Sequence, residues 1–209
     1  MLGLPKATEV NRRVAKDKIY SNANLTPQVR DIIKERIEAI FWRNKLAVST
    51  IGIAVGEKIE EIQVFEIQLR QREIDKRVLP VIAKAIPYKV LFVLVYGEEA
   101  QAWIEVEGTF YHTDWLHVEG LQLKFEGLNL DAVYENLVRQ VSGGRLAKEG
   151  DILQAVENDK RRLKLERDIV TLERKLRREK QFNRQVEMNN EVRRLKKELE
   201  MFTHGNGAK

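Results

Sequence analysis

From residue 151 to residue 202 the chain contains neither glycine nor proline, and no other feature restricts its folds as much. Strong helix formers fill the stretch, so one helix there would reach about 75 Å at ~1.5 Å per residue. Propensity alone does not hold such a helix in water; it needs apolar contact along one side. The spacing supplies that contact. Leu165, Ile169, Leu172 and Leu176 step by 4, 3 and 4, and Met188, Val192, Leu195, Leu199 and Phe202 by 4, 3, 4 and 3, as heptad a and d positions require. The two seams are out of register, because Leu176 to Met188 spans 12 residues, a sum that two heptads do not give. Between them lies the polar segment 179–187. It is either a stutter in one long coiled-coil helix or the bend of a helical hairpin, and the lack of a strong breaker near Asn183 favours the continuous helix. An exposed stripe of this kind needs a cover. A second copy, a different subunit or the tail folded back on itself would serve, with a homodimer or a partner subunit favoured.

The same tail carries the charge excess. Residues 1–150 hold 21 Lys+Arg against 21 Asp+Glu, whereas residues 151–209 hold 16 against 11, which accounts for the formal net charge of +5. Arg161, Arg162, Arg174, Lys175, Arg177, Arg178, Arg193 and Arg194 are therefore the candidates to follow a phosphate backbone. The competing reading is a solvated coiled-coil flank, with Glu173, Glu179 and Glu198 set among the bases.

Residues 1–142 read as an α/β globular domain, 143–150 as a hinge, 151–203 as the basic coiled-coil helix and 204–209 as a disordered tail. Within the domain, residues 1–25 show little periodicity and read as an irregular arm. Thr26 followed by Pro27 is a helix cap with proline at the first helical position, and the apolar spacing from Val29 to Phe41 carries that helix to about Arg43. Residues 46–55 and 61–70 read as two strands joined by a turn, and 73–86 as a second helix with a kink at Pro80. Residues 89–96 are apolar on both faces, as in a central strand covered on two sides. A further strand at 101–106 follows, and a third helix begins at Asn129 or Asp131 and runs through Val141. The expected fold is α/β, a small mixed sheet covered by helices in the element order of a restriction-endonuclease-like core, followed by a long coiled-coil helix or helical hairpin.

Composition removes several chemistries. With no cysteine there is no disulfide scaffold, thiol nucleophile or iron–sulfur cluster, and three histidines leave little for a multi-histidine metal centre. No run is long and apolar enough to span a membrane, and residues 1–20 lack a secretory profile, so a cytoplasmic protein is expected. His112, Asp114 and His117 suit neither one helix face nor one strand face, and read as a hydrogen-bonded loop.

The most suggestive chemistry lies on the strand at 61–70. Ile62, Val64, Glu66, Gln68 and Arg70 share one face, and Gln63, Phe65, Ile67 and Leu69 the other. Metal-dependent nucleases hold a divalent ion with a strand carboxylate two residues before a Lys or Gln, together with an earlier acid. Glu57 would be that earlier acid and Glu66 the second ligand, with Gln68 or Arg70 orienting water or stabilising charge. The competing use of Glu66 is an ion pair with an Arg or Lys of a covering helix. Mg²⁺ belongs to the nuclease reading alone; otherwise no cofactor is expected.

Several segments resemble a bacterial and archaeal family known as domain-of-unknown-function family 4391. They are Leu2 to Lys6, Glu61 to Leu69, Ile86 to Tyr88 leading into the 90–95 strand, Gly127 to Gln140, and the tail segments 179–184 and 186–189. The resemblance implies a setting beside DNA methyltransferases and helicase-like ATPases in restriction or phage-defence clusters, and brings no catalytic residues with it. The expected function is an accessory, non-catalytic subunit of a DNA-modification or anti-phage assembly, docking through its tail. A metal-dependent nuclease and a coiled-coil DNA-binding protein are the alternatives.

Overall fold

In the computed structural model, which describes residues 2–23, 25–147 and 149–204, the chain divides into two units, Met1–Gly144 and Arg145–Lys209. The first opens with a 3-10 turn at Lys6–Thr8, followed by β1 (Glu9–Val14), α1 (Lys16–Asn22), α2 (Pro27–Arg36) and β2 (Ile37–Leu46). Next come the single turn α3 (Val48–Ile51), β3 (Ile62–Leu69), α4 (Val78–Lys84), β4 (Lys89–Tyr96), β5 (Glu99–Val106), β6 (Thr109–His112), β7 (Leu116–His117) and α5 (Leu130–Val141). The second unit holds α6 (Ile152–Leu176) and α7 (Phe182–His204).

The strands form one seven-stranded mixed sheet in the order β1-β2-β3-β4-β5-β6, with β7 also paired to β5. Among the named strands of the described residues only β3 and β4 pair in parallel, and α4 is the crossover that a parallel pair requires. As the apolar run of 89–96 predicts, β4 sits between β3 and β5 with Val90 to Leu94 all buried. Phe65, Ile67 and Phe92 on one face pack with Ile33 of α2 and Val78 and Ile82 of α4. α5, capped by Asn129 whose side chain accepts the Ala132 N–H at 2.9 Å, lies against β5 and β6. Leu2 is buried and its N–H donates to Leu121 O at 3.0 Å, beside a bridge between Leu2 and Gln122.

Three boundaries depart from the sequence reading. Thr26 caps α2 as expected, accepting the Val29 N–H, but the helix stops at Arg36 rather than Arg43. Ile37, Ile40 and Phe41 fit a helical period; they are also β-branched or aromatic, and pairing with β1 on one side and β3 on the other outweighs the local pattern. The strand expected at 46–55 is accordingly displaced to 37–46. α4 begins at Val78 rather than 73, because Asp75 accepts the Arg77 N–H at 2.9 Å in a preceding turn. Pro80 thus falls in the first turn of α4, where its missing N–H breaks no helical bond and no kink arises. Residues 1–25 are ordered rather than irregular wherever they are described. β1 is an edge strand, exposed at Glu9, Asn11, Arg12 and Arg13, so it lacks the alternation that marks a half-buried strand.

The tail is a hairpin, not one continuous helix. Residues 177–181 reverse the chain without a glycine or proline. The Glu179 carboxylate accepts the N–H groups of Lys180 at 2.8 Å and Gln181 at 2.9 Å, and those bonds pull its pKa below the ordinary range. Glu179 O meanwhile accepts from Gln185 Nε2 at 2.7 Å. The seam's first cover is therefore the tail itself rather than a second copy or another subunit. Leu165, Ile169 and Val192 are buried, whereas Leu172, Leu176, Leu195, Leu199 and Phe202 are half-buried. Arg161 pairs with Glu198 at 2.5 Å and Lys196 with Glu173 at 2.7 Å across the two helices. The disordered stretch expected over 204–209 falls, beyond His204, outside the described residues. No helix among the described residues is long and apolar enough to cross a membrane.

Candidate functional site

β3 and the residue before it carry the pattern Glu-x-Gln twice, at Glu61 and Gln63 and again at Glu66 and Gln68. Since side chains alternate along a strand, one such pair faces each side of the sheet. Gln63 Nε2 donates to Glu61 Oε1 at 2.6 Å, and Gln68 Nε2 to Glu66 Oε1 at 3.0 Å. Both carboxylates are buried, and each takes a cation from β2. Lys45 Nζ lies 2.7 Å from Glu61 Oε2, and Arg43 grips Glu66 with Nε to Oε2 and Nη2 to Oε1, both at 2.8 Å. In a regular strand residues 43 and 45 would point the same way. They do not, because the β2–β3 register shifts between Trp42, opposite Phe65, and Asn44, opposite Val64. This bulge turns Arg43 toward the Glu66 face and leaves Lys45 on the other.

Around Arg43 the polar groups are matched. Its guanidinium also donates to Asn11 Oδ1 at 3.4 Å and stacks over the Phe41 ring at 4.5 Å, while Asn44 Nδ2 donates to Thr8 Oγ1 at 2.9 Å. Arg43, Glu66, Asn11 and Asn44 line a small cleft of about 260 Å³ with Glu9 and Leu4. The hydrogen bond to Glu66 raises the Arg43 pKa further, so the guanidinium is charged at every accessible pH.

A divalent ion does not fit these residues. Both Glu66 oxygens already receive Arg43, and the Gln68 amide adds to one of them. Glu57 is exposed and lines a different, larger cleft of about 870 Å³ with Glu60, Tyr88 and Phe110. Arg70 is exposed beyond the end of β3, its N–H donating to Arg36 O at 2.8 Å. The carboxylate pair proposed for Mg²⁺, Glu57 and Glu66, is thus not brought together, and the partner of Glu66 comes from a neighbouring strand rather than a covering helix. Among the described residues no group of three or more His, Asp or Glu side chains is placed to hold a metal.

What Glu57 does contribute is backbone. The Asp131 carboxylate accepts the N–H groups of Glu57 at 2.8 Å, Lys58 at 3.3 Å and Ile59 at 2.9 Å, tying the 56–59 loop to the first turn of α5. Gly56 is required for that approach, since a Cβ there would fall 2.1 Å from Asp131 Oδ1. Asp131 is visible in the sequence only as a possible helix cap, a role that Asn129 takes. Asp131→Ala leaves three backbone donors without their acceptor, and a loss of about 2 kcal/mol is expected, as is typical for hydrogen bonds to a charged group. Urea denaturation followed by tryptophan fluorescence checks it; an unchanged midpoint would mean that water replaces the carboxylate freely. His112 ends β6 and His117 lies in β7, so the loop expected through them is confined to 113–115, where Gln101 Nε2 donates to Thr113 O at 2.7 Å and Thr113 Oγ1 to Asp114 O at 2.8 Å.

In the second unit the basic side chains separate into two groups. Arg161, Arg162 and Arg194 are engaged by Glu198, by Asp159 and Glu166, and by Glu191. Arg174, Lys175, Arg177, Arg178 and Arg193 are exposed and form no ion pair among the described residues. No curated protein and no solved structure matches the chain. The family model described as Domain of unknown function (DUF4391) matches residues 2–199, nearly the full length, and the chain belongs to that family.

Proposed function

We propose that the protein is a non-catalytic interaction subunit of a bacterial or archaeal DNA-modification or anti-phage assembly, working in the cytoplasm beside a DNA methyltransferase or a helicase-like ATPase. The observation that carries the non-catalytic half is the fork of Arg43 on Glu66. A guanidinium fixed by two charge-assisted bonds holds the carboxylate that a nuclease would need for its metal, and displacing it would leave a buried carboxylate and a half-buried guanidinium to be satisfied anew. The assembly half rests on the setting implied by the family resemblance and on the tail. Two helices packed on each other bury one seam and leave Leu172, Leu176, Leu195 and Leu199 half-buried. A partner helix laid along that open side would complete the burial.

The test uses the purified chain with Mg²⁺ or Mn²⁺ and single-stranded, double-stranded and branched DNA. No cleavage is expected. Cutting that Glu66→Ala abolishes would overturn the reading and reinstate the nuclease. Purification of the tagged chain from its native host is expected to bring a methyltransferase or helicase subunit with it, and Leu172→Asp with Leu195→Asp should release that subunit.

A further inference from the structure

Six of the eleven residues from 174 to 184 are Lys or Arg and one is acidic, so this segment alone has a net charge of +5, equal to the formal excess of the whole chain. It is the tip of the hairpin: the last turn of α6, the reversal at 177–181 and the first turn of α7. All six cations, Arg174, Lys175, Arg177, Arg178, Lys180 and Arg184, are exposed, and none forms an ion pair among the described residues. The one acid, Glu179, is occupied by the N–H groups of the turn.

Helix stability explains part of this charge and leaves the rest. Arg174 and Lys175 sit in the last turn of α6, where the helix dipole favours cations. Lys180 and Arg184 flank the start of α7, where the same dipole disfavours them, and they add to the repulsion from Arg177 and Arg178. Lower down the shaft Arg161, Arg162, Arg194 and Lys196 are each paired with an acid, whereas Arg193 and Lys197 form no ion pair among the described residues, so unpaired cations are concentrated at the tip without being confined to it. Amid the unneutralised cations stands Phe182, 75% exposed at the first position of α7, with the exposed Val186 one turn further along the same face. The ring contributes nothing to the hairpin seam, which runs through Ile169 and Val192.

We propose that the hairpin tip binds single-stranded DNA, with the six cations holding phosphates and Phe182 stacking on an unpaired base. Cationic side chains that follow a backbone, combined with an aromatic face for a base, are what sequence-tolerant binding of single strands requires. A single ring with one valine beside it is too little apolar surface for a membrane-inserting tip, where a wide apolar face would be expected. The choice of DNA over RNA rests on the reading of the protein as part of a DNA-acting assembly; the choice of nucleic acid rests on the tip alone.

The experiment measures fluorescence anisotropy of the full chain with an oligothymidylate of about 20 nucleotides, the matching oligouridylate, a blunt duplex of the same length, and vesicles of phosphatidylcholine with phosphatidylserine. The expected result is preference for the oligothymidylate, with a plot of log affinity against log salt approaching a slope of about −4 if all six cations meet phosphates. Phe182→Ala should weaken binding about tenfold with the slope unchanged, and Phe182→Trp should restore it. Arg177→Gln with Arg178→Gln should make the slope shallower by about 1.4. Arg193→Gln with Lys197→Gln, on the shaft, should change nothing. All these positions are exposed, and unchanged far-ultraviolet circular dichroism verifies the hairpin in each variant. Binding that the shaft variant weakens as much as the tip variants, indifference to Phe182→Ala, preference for duplex, RNA or vesicles, or no binding at all would each overturn the proposal. None of these results would touch the non-catalytic reading, which is tested separately by DNA cleavage and by the Arg43–Glu66 pair.

Discussion

Arg43→Ala will lower the stability of the α/β unit by about 3 kcal/mol. The substitution strands Glu66, whose side chain is only 7% exposed, while the guanidinium it loses is 31% exposed. Removing one partner of a buried pair costs ~3 to 5 kcal/mol because the remaining charge stays desolvated, and the partial exposure of Arg43 places the effect at the lower end. Replacing both residues, Arg43→Met with Glu66→Met, should recover most of the loss, since a buried pair is worth little more than apolar groups of similar volume. The measurement is clean because all three tryptophans, Trp42, Trp103 and Trp115, lie within Met1–Gly144. Trp42 stacks on Phe65 at 6.4 Å between ring centroids, next to the bulge that presents Arg43. A urea midpoint that falls at constant slope reports lost stability rather than a changed unfolded state. If the single variant is as stable as the parent, the fork on Glu66 does not exist in solution and the non-catalytic argument loses its support.

The second large effect is expected in the other unit. Ile169 is 6% exposed in α6, and Ile169→Asp should cost about 4 kcal/mol, combining ~1.5 to 3 kcal/mol of lost burial with the penalty for a poorly solvated carboxylate. The consequence is sharper than a shifted midpoint. Separate helices of this length are marginal in water without a packed face, so the hairpin should lose most of its helix. α6 and α7 hold 25 and 23 residues, against 10 in α2 and 12 in α5, and far-ultraviolet circular dichroism is therefore dominated by the tail. The helical signal should drop by roughly half or more while tryptophan fluorescence stays as it was. Val170→Asp, one residue on but 54% exposed, is the control and should do little.

The sequence was most legible where one physical demand acted alone. Residues 89–96 had to be a covered strand, because both faces are apolar, and Asn129 before an amphipathic run had to cap a helix; β4 and α5 follow. It misled where two demands competed. Ile37, Ile40 and Phe41 satisfy a helical period and also a sheet position, and only the partners on either side decide between them. That error hid the site: with residues 26–43 read as helix, Arg43 could not be seen as the strand neighbour of Glu66. The face bearing Glu66 and Gln68 was read correctly, but the bulge at Arg43 has no sequence signature, and so the pairing of Arg43 with Glu66 and of Lys45 with Glu61 on opposite faces could not be foreseen. The hairpin turn escaped for a related reason. Its reversal is made by a glutamate side chain accepting backbone N–H groups, and glutamate counts as a helix former.

The burial of Leu2 against residues 121 and 122 has a consequence for the chain as it is synthesised. A growing polypeptide emerges from its N-terminus at ~5 to 20 residues per second, so Leu2 waits on the order of ten seconds for Leu121, whose carbonyl receives its N–H, to appear. During that interval β2, β3 and β4 can pair in turn, while the segment before β1 has no place to dock. The hairpin comes last and depends mainly on nearby contacts, which close quickly. A ribosome that stalls before residue 121 therefore releases a sheet still open at the place Leu2 should fill, and such truncated chains are expected to be cleared by proteases, whereas chains stalled within the tail leave a finished α/β unit behind.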